Sequence, residues 1–312
     1  MKELADPLVS ILMNCYNGEK YLHEALDSVL AQTYKNWELI FWDNRSSDRS
    51  AEIFKSYNDK RLKYYLSDKH SHLGVGRAKA FNYLKGDFVA MLDTDDIWLP
   101  KKLEKQVPFF NDPNTGIVIC DTFFFNEELE KALYGNKPPL IGNVFEKLMT
   151  NYFVSSETIV FRMSTALKLP RAFDPDFNFI SDFDLVVRLS QISKLAYCPY
   201  VLAKWRVHEG SHTWKNPEKF VEEKENWIRK QIAGDHFFEK KYKKQILIFK
   251  STNYRERTIF EIRNNNNRRE AIQNVIKTQF TDWRDWLLLL ICLTPFSQYL
   301  LSYIFKRKTK LI

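Results

Sequence analysis

Over roughly the first 120 residues, short strand-like runs rich in apolar residues alternate with apolar residues at helical spacing. That rhythm predicts βαβ units over a parallel sheet. The runs are Val9 to Met13, Glu38 to Trp42, Leu62 to Leu66, Phe88 to Leu92 and Gly116 to Cys120. Each has the length of a buried strand and is bounded by turn-forming or charged residues. Between them, Leu22, Ala25, Leu26, Val29 and Leu30 share one helical face, and Ser50 to Tyr57 and Ala78 to Leu84 read as further helices. Leu103, Val107 and Phe110 continue the pattern beyond Pro100, a residue suited to the first turn of a helix.

Periodicity is poor from Asp121 to Glu157, where Phe123 to Phe125, Tyr152 and Phe153 lie among glycines and the Pro138-Pro139 pair. An aromatic core and a flat surface for sugar rings both fit this region. Ser155 to Met163 looks strand-like again. In the stretch from Phe179 to Leu189, Phe183, Val186, Val187 and Ser190 can bury one helical face, with Asp182 at its start. An acid there is ambiguous, because a helix N-terminus attracts carboxylates for structural reasons alone.

The polar residues add chemistry to this frame. The run from Phe88 stops in Asp93, Asp95 and Asp96. Alternate residues of an extended backbone face the same way, so Asp93 and Asp95 can converge on one hard cation. Taken alone, the pattern equally suits a solvated turn. However, Asn14 and Tyr16 follow the first strand and Asp43 ends the second, and open α/β sheets bind ligands outside the carboxyl ends of their strands. Lys204 to Thr213, read as loop-like, gathers Arg206, His208, Ser211 and His212 into a cationic and metal-competent cluster.

The chain has 312 residues, 45% hydrophobic and 15% aromatic, enough for one large domain or two unequal ones. Its four cysteines form no CxxC pair, which argues against a zinc site or a disulfide framework and fits a reducing compartment. The acidic N-terminal residues predict no secretory signal. The net charge of +8 is uneven: Glu218 to Ile312 holds 20 Lys and Arg against 11 Asp and Glu, whereas the remainder holds 27 against 28. Such a surface suits nucleic acid or anionic lipid.

The uncharged, aromatic-rich run from Trp286 to Phe305, followed by the basic Lys306 to Lys310, favours lipid and predicts no nucleic-acid partner. Its 20 residues are about the minimum to span a bilayer. Pro295, Ser297 and Gln298 interrupt it, and the basic cluster would keep its far end in the cytoplasm. Phe296, Leu300, Leu301 and Ile304 share a helical face, which predicts an in-plane or re-entrant pair of short helices. An internal helix capping the domain and a homodimer contact are the alternatives.

Val9 to Gly18, Gln32 to Glu38, Asp43 to Asp48 and Leu92 to Leu103 together resemble family 2 glycosyltransferases. The likeness runs over about residues 8 to 110 and resumes at Ser181-Asp182 and at Trp205 to His208. It implies an α/β, GT-A type nucleotide-sugar-binding fold with a central, mostly parallel sheet. The catalytic domain is expected over residues 1–215. A C-terminal helical region, 216–312, would end in an amphipathic membrane-associating segment at about 284–310.

The implied activity is inverting transfer of a hexosyl group from a nucleotide diphosphate sugar, a UDP-sugar first, to a hydroxyl of a glycan or lipid-linked glycan in cell-surface polysaccharide biosynthesis. On the matching positions, Asn14, Tyr16 and Asp43 would hold the base and Asp93 the ribose, with Arg77 in the same nucleotide-sugar pocket. Asp95 and His208 would bind Mn²⁺ or Mg²⁺, Arg206 would lie near the diphosphate, and Asp182 would be the catalytic base. Asp184 would raise the pKa of Asp182 if the two lie close. The expected site of action is cytoplasmic, peripheral on the inner face of the cell membrane.

The sequence also departs from the family pattern. The usual Glu-Asp pair is Ser181-Asp182, the usual Asp and Gly after the second strand are Asn44 and Arg45, and the Asn and Gly expected after Arg77 are Ala78 and Ala80. A sugar nucleotidyltransferase would use a similar sheet, but no glycine-rich basic loop follows the first strand. Gly74-Val75-Gly76 begins the glycine pattern of dehydrogenases, yet position 79 is Lys. Against a non-catalytic membrane-associated sugar-binding protein stand Asp93, Asp95, Asp182 and His208 together.

Overall fold

The structure, a computed structural model, describes residues 6–208, 210, 216–265 and 267–301. The chain divides into two compact units, one of residues up to 145 with 153–208, the other of residues 146–152 with those from 209 onward.

The first unit opens with β1 (Val9–Cys15), α1 (Leu22–Leu30), β2 (Trp37–Asp43), α2 (Ser50–Ser56), β3 (Leu62–Leu66), α3 (Leu73–Phe81) and β4 (Phe88–Met91). β5 (Ile97–Trp98), α4 (Lys102–Gln106), β6 (Thr115–Phe125) and β7 (Glu130–Ala132) follow. After α5 (Phe145–Thr150), most of which belongs to the second unit, come β8 (Val160–Arg162), α6 (Met163–Ala166), α7 (Ser181–Ile192) and β9 (Lys194–Arg206). The strands lie in the order β3-β2-β1-β4-β8-β6-β9-β5, with β7 on β6. β3, β2, β1 and β4 run parallel, β8 is antiparallel to both its neighbours, and β9 is parallel to β6.

Parallel strands covered on both faces carry unbroken apolar sequence, and every residue of β2 is buried. The apolar stripe of α1 packs into the same core as Phe41, which stacks on Phe54 at 4.3 Å, and Phe88, which stacks on Phe110 at 4.1 Å. Each such ring withdrawn from water stabilises the fold by roughly 1.5–3 kcal/mol.

Three segments differ from the periodicity reading. α3 begins at Leu73 rather than Ala78, because Gly74 and Gly76 sit inside the helix at points of close approach; a Cβ on Gly74 would lie 1.9 Å from the carbonyl oxygen of Phe177. β6 runs on through Phe125 against the thirteen-residue β9, so Lys204 to Arg206 are strand rather than loop. Shifts in register on both sides of Asp121 break the alternation by which such strands are read. Ser156–Thr158 forms a 3₁₀ turn, leaving only Val160–Arg162 of the Ser155 to Met163 stretch in the sheet.

The second unit is helical: α8 (Pro217–Gly234), α9 (Phe238–Lys241), α10 (Lys243–Phe260), α11 (Arg268–Lys277) and α12 (Trp283–Leu293), then a further helical turn over 297–301. Asp282 and Asp285 form a capping box at the start of α12, and buried Asp285 is paired with Arg255. Ile262, Ala271, Val275, Leu288, Ile291, Cys292 and Leu301 make its core. Among the described residues no helix is long and apolar enough to cross a membrane. The face expected to join Phe296, Leu300 and Leu301 is not formed as drawn. Phe296 and Leu300 are exposed while Ser297 and Leu301, four residues apart on the neighbouring face of the same turn, are buried. Ile304 and the basic run after it lie outside the described residues.

Candidate active site

The carboxyl ends of β1, β2 and β4 lie side by side, since Cys15 pairs with Asp43 and Leu12 with Met91. Asn14 is level with Trp42, and the Asn14 amide nitrogen and oxygen and the Trp42 indole nitrogen are buried with no hydrogen-bond partner. Gly76 of α3 presses on this spot, where a Cβ would come within 2.8 Å of Asn14 Nδ2. Asp43 is buried; its Oδ1 accepts from the Ser46 amide at 2.7 Å and its Oδ2 from the Tyr64 hydroxyl at 2.5 Å. Tyr16 is exposed and its ring meets that of His70 at 4.1 Å, while His70 Nδ1 lies 3.0 Å from the Asn44 carbonyl oxygen.

Beyond β4 the acids are tied to three distant segments. Arg77 of α3, 4% exposed, donates from Nη2 to Asp93 Oδ1 at 3.1 Å and from Nη1 to Ser181 Oγ at 2.7 Å. One guanidinium thus couples the end of β4 to the first turn of α7, where Asp182 follows Ser181. Asp95 Oδ2 is 2.9 Å from His208 Nε2. Arg206, at the end of β9, donates from Nε to the Asp95 carbonyl oxygen at 3.0 Å and from Nη2 to Glu24 Oε2 at 2.8 Å. Its guanidinium also lies over the rings of Tyr21 and Phe125, 4.3 and 4.6 Å from their centroids. Buried Asp96 accepts from the Arg206 amide at 2.9 Å.

The pocket is crowded with negative charge. The Asp93 side chain keeps 36% of its surface, yet withdrawal from bulk water raises its pKa, and repulsion from Asp95 and Asp182 adds to this against the pull of Arg77. Asp96 is pushed well above the usual carboxylate range by burial, then by Asp95, Glu157 and Asp93, with the Arg206 amide opposing. Such a cluster attracts cations. Asp184, by contrast, is fully buried and gripped through both oxygens by Arg188, which also donates to the carbonyl oxygens of Arg171 and Ala172.

The expected residues Asn14, Asp43, Arg77, Asp93, Asp95, Asp182, Arg206 and His208 therefore all border the strand ends of the first unit, and Tyr16 lies at their rim against His70. Ser211 and His212 fall outside the described residues. Among the described residues no group of three or more His, Cys, Asp or Glu is placed to hold a metal ion; Asp95 and His208 form a pair. Glu24, Tyr21 and His70 were not foreseen. Glu24 meets a partner 182 residues away, which no local pattern signals, whereas Asp96 was legible as part of the triple acid.

Comparison with known proteins adds likenesses in family, sequence and fold. The model of the family described as Glycosyl transferase family 2 matches residues 10–167. The UDP-Glc:alpha-D-GlcNAc-diphosphoundecaprenol beta-1,3-glucosyltransferase WfgD of Escherichia coli is 30% identical over 233 residues, 74% of this chain and 87% of that protein. The chain spans about two thirds of the length of another curated relative. In fold it resembles S. aureus TarS 1-349 in complex with UDP-GlcNAc, with a TM-score of 0.64 and 18% identity over 93% of this chain and 86% of that one. It also resembles the mannosyltransferase PcManGT from Pyrobaculum calidifontis in complex with GDP-Man and Mn²⁺, with a TM-score of 0.62 and 16% identity over 98% and 87%.

Proposed function

The chain belongs to glycosyl transferase family 2, and from that premise we propose that it is an inverting, metal-assisted hexosyltransferase using a nucleotide diphosphate sugar, a UDP-sugar first. That it is a glycosyltransferase with the expected GT-A type α/β fold and C-terminal helices is shown by the same likenesses. The acceptor is a hydroxyl of a glycan or lipid-linked glycan in cell-surface polysaccharide synthesis, a reading supported by the lipid diphosphate acceptor in the name of WfgD. A cytoplasmic location at the inner membrane face, an anionic membrane surface as partner and a homodimer belong to the same proposal.

In this reaction the acceptor oxygen attacks the anomeric carbon while its proton passes to the Asp182 carboxylate. The bond from that carbon to the diphosphate oxygen breaks, and the electron pair leaves with the nucleoside diphosphate. Attack from the face opposite the leaving group inverts the configuration. Arg206, aimed by Glu24 and the Asp95 carbonyl, offsets charge on the leaving group. Arg77 holds Asp93 in place for the ribose. Tyr16 and the unpartnered amide of Asn14 take the base, with Asp43 beneath them. A divalent cation, when bound, would neutralise the diphosphate. Asp95 and His208, a carboxylate and an imidazole with donor atoms 2.9 Å apart, would hold such an ion, Mn²⁺ or Mg²⁺.

One observation carries the reading: the acids after β4 are tied through Arg77 to the turn that bears Asp182 and through His208 to the end of β9. A panel of sugar nucleotides with Mn²⁺, scored by nucleoside diphosphate release and by a rise in melting temperature, tests it. At least one UDP-sugar should do both; no response to UDP- or GDP-sugars would sink donor use.

A further inference from the structure

From the second unit taken by itself, we infer that the outward face of α12 is the surface that rests on an anionic lipid bilayer. This deepens, and rests on, the proposed partnership with an anionic membrane surface, and it needs no particular donor or acceptor.

Trp283, Trp286, Leu287, Leu290 and Leu293 recur along α12 at the spacing of one helical face, and all five are exposed. Trp283 retains 71% of its surface and Leu290 64%. The opposite face, Asp285, Leu288, Ile291 and Cys292, is buried in the core of its unit. The helix is therefore not inside out: its inward side is already packed, and a second apolar side is left over. Phe296 and Tyr299, both about 70% exposed, extend the apolar surface past Pro295. A contiguous run of this kind on a folded unit marks a contact surface.

Charge and residue type select its occupant. Trp and Tyr at the margins of an apolar stripe suit the headgroup boundary of a membrane, where an amphipathic helix lies in plane. The helix is too short to cross. Lys277 at the end of α11 and Arg269 are exposed, Arg284 is paired with Asp282, and the chain from Glu218 carries 20 Lys and Arg against 11 Asp and Glu. Anionic lipid complements that excess, whereas a second copy would bring the same positive charge to the contact. Nucleic acid would require cations on the contact face itself, and the five residues of the stripe include none. Relative to the expected face of Phe296, Leu300, Leu301 and Ile304, Phe296 and Leu300 stay exposed, Leu301 is buried, and the stripe of α12 is added.

The test is flotation of the full chain with phosphatidylcholine vesicles, with and without phosphatidylglycerol, at low and high salt. The chain should float with the anionic vesicles and be released by salt, and Leu290→Glu combined with Leu293→Glu should lower the bound fraction by about tenfold or more. Melting temperature and donor hydrolysis in solution should stay as they are. Should the pair destabilise the chain, Trp283→Glu alone repeats the measurement on the first turn. Absence of flotation, flotation indifferent to the substitutions, or equal and salt-insensitive binding to both lipids would overturn the inference. So would a sedimenting dimer that the substitutions dissolve. A wild-type chain that floats with anionic vesicles but hydrolyses no donor would instead strike the transferase reading.

Discussion

The two ends of the parallel strands treat their buried polar groups differently. Where the strands begin, Ser10 donates to Glu38 Oε1 at 2.6 Å, Lys63 pairs with Glu38 Oε2, and the amides of Lys85 and Gly86 donate to Glu38 and Ser10. Burial alone would raise the Glu38 carboxyl, but Lys63, Ser10 and the Lys85 amide reverse this and hold it below the usual range. Where the strands end, Asn14 has no partner for either amide atom, and Asp93 and Asp96 are both driven upward by burial and then by neighbouring carboxylates, Asp95 among them. Burial is common to both ends. What separates the structural polar group from the functional one is whether the protein completes its hydrogen bonds or leaves them for a ligand.

If that distinction holds, substitutions at the two ends fail in different assays. The largest effect belongs to Asp182→Asn, which should lower the transfer rate by about 10²- to 10⁴-fold while melting temperature and nucleotide binding persist. Initial rates with a competent donor check this, and near-normal turnover would remove Asp182 as the base. Asp95→Ala should weaken Mn²⁺-dependent donor affinity by about tenfold or more. An affinity that is the same with and without Mn²⁺, before and after the change, would take Asp95 out of the site.

At the other end, Glu38→Gln should leave turnover per folded molecule intact and cost about 1–3 kcal/mol of stability at neutral pH, since it breaks a hydrogen-bonded charge whose side chain is 6% exposed. The sign of its pH dependence follows from the depressed carboxyl. The contribution of Glu38 is present above the unfolded pKa and lost as pH falls through the folded one. The gap between the two proteins in denaturant titrations should therefore close below about pH 4. A gap that persists there would mean Glu38 acts through shape rather than charge.

How much of this was legible depended on whether a feature is local. β1, β2 and β4 could be read because parallel strands buried on both faces leave largely apolar runs, and the polar residues at their tips stood out against those runs. The closure of the site could not. Arg77 meets Ser181 across 104 positions and His208 meets Asp95 across 113, and such pairings leave no periodicity behind. The resemblance to a family supplied them instead. β9 escaped notice because its pairing with β6 shifts register around Asp121.

The smallest effect probes whether the strand ends also hold conformational strain. Asn17 and Arg45 each sit two residues beyond a strand, and both are left-handed, with φ of 55° and 67°. Asn tolerates that region; Arg does so only against steric cost. At this position the family pattern leads one to expect Gly. Arg45 offsets part of the cost by donating from Nη2 and Nε to the Asp68 carbonyl oxygen at 2.7 and 3.2 Å. Comparing wild type with Arg45→Gly alone would mix lost hydrogen bonds, relieved strain and a freer unfolded chain. Comparing Arg45→Gly with Arg45→Ala removes the guanidinium from both and leaves the backbone as the main difference. Gly should then be the more stable by about 1 kcal/mol in chemical denaturation, because relief of the left-handed Cβ clash outweighs the added unfolded entropy. Equal stability, or an advantage for Ala, would mean that the turn relaxes to an ordinary conformation once the Arg45 to Asp68 contact is gone. The strain would then be held by that contact rather than by the loop that shapes the strand ends.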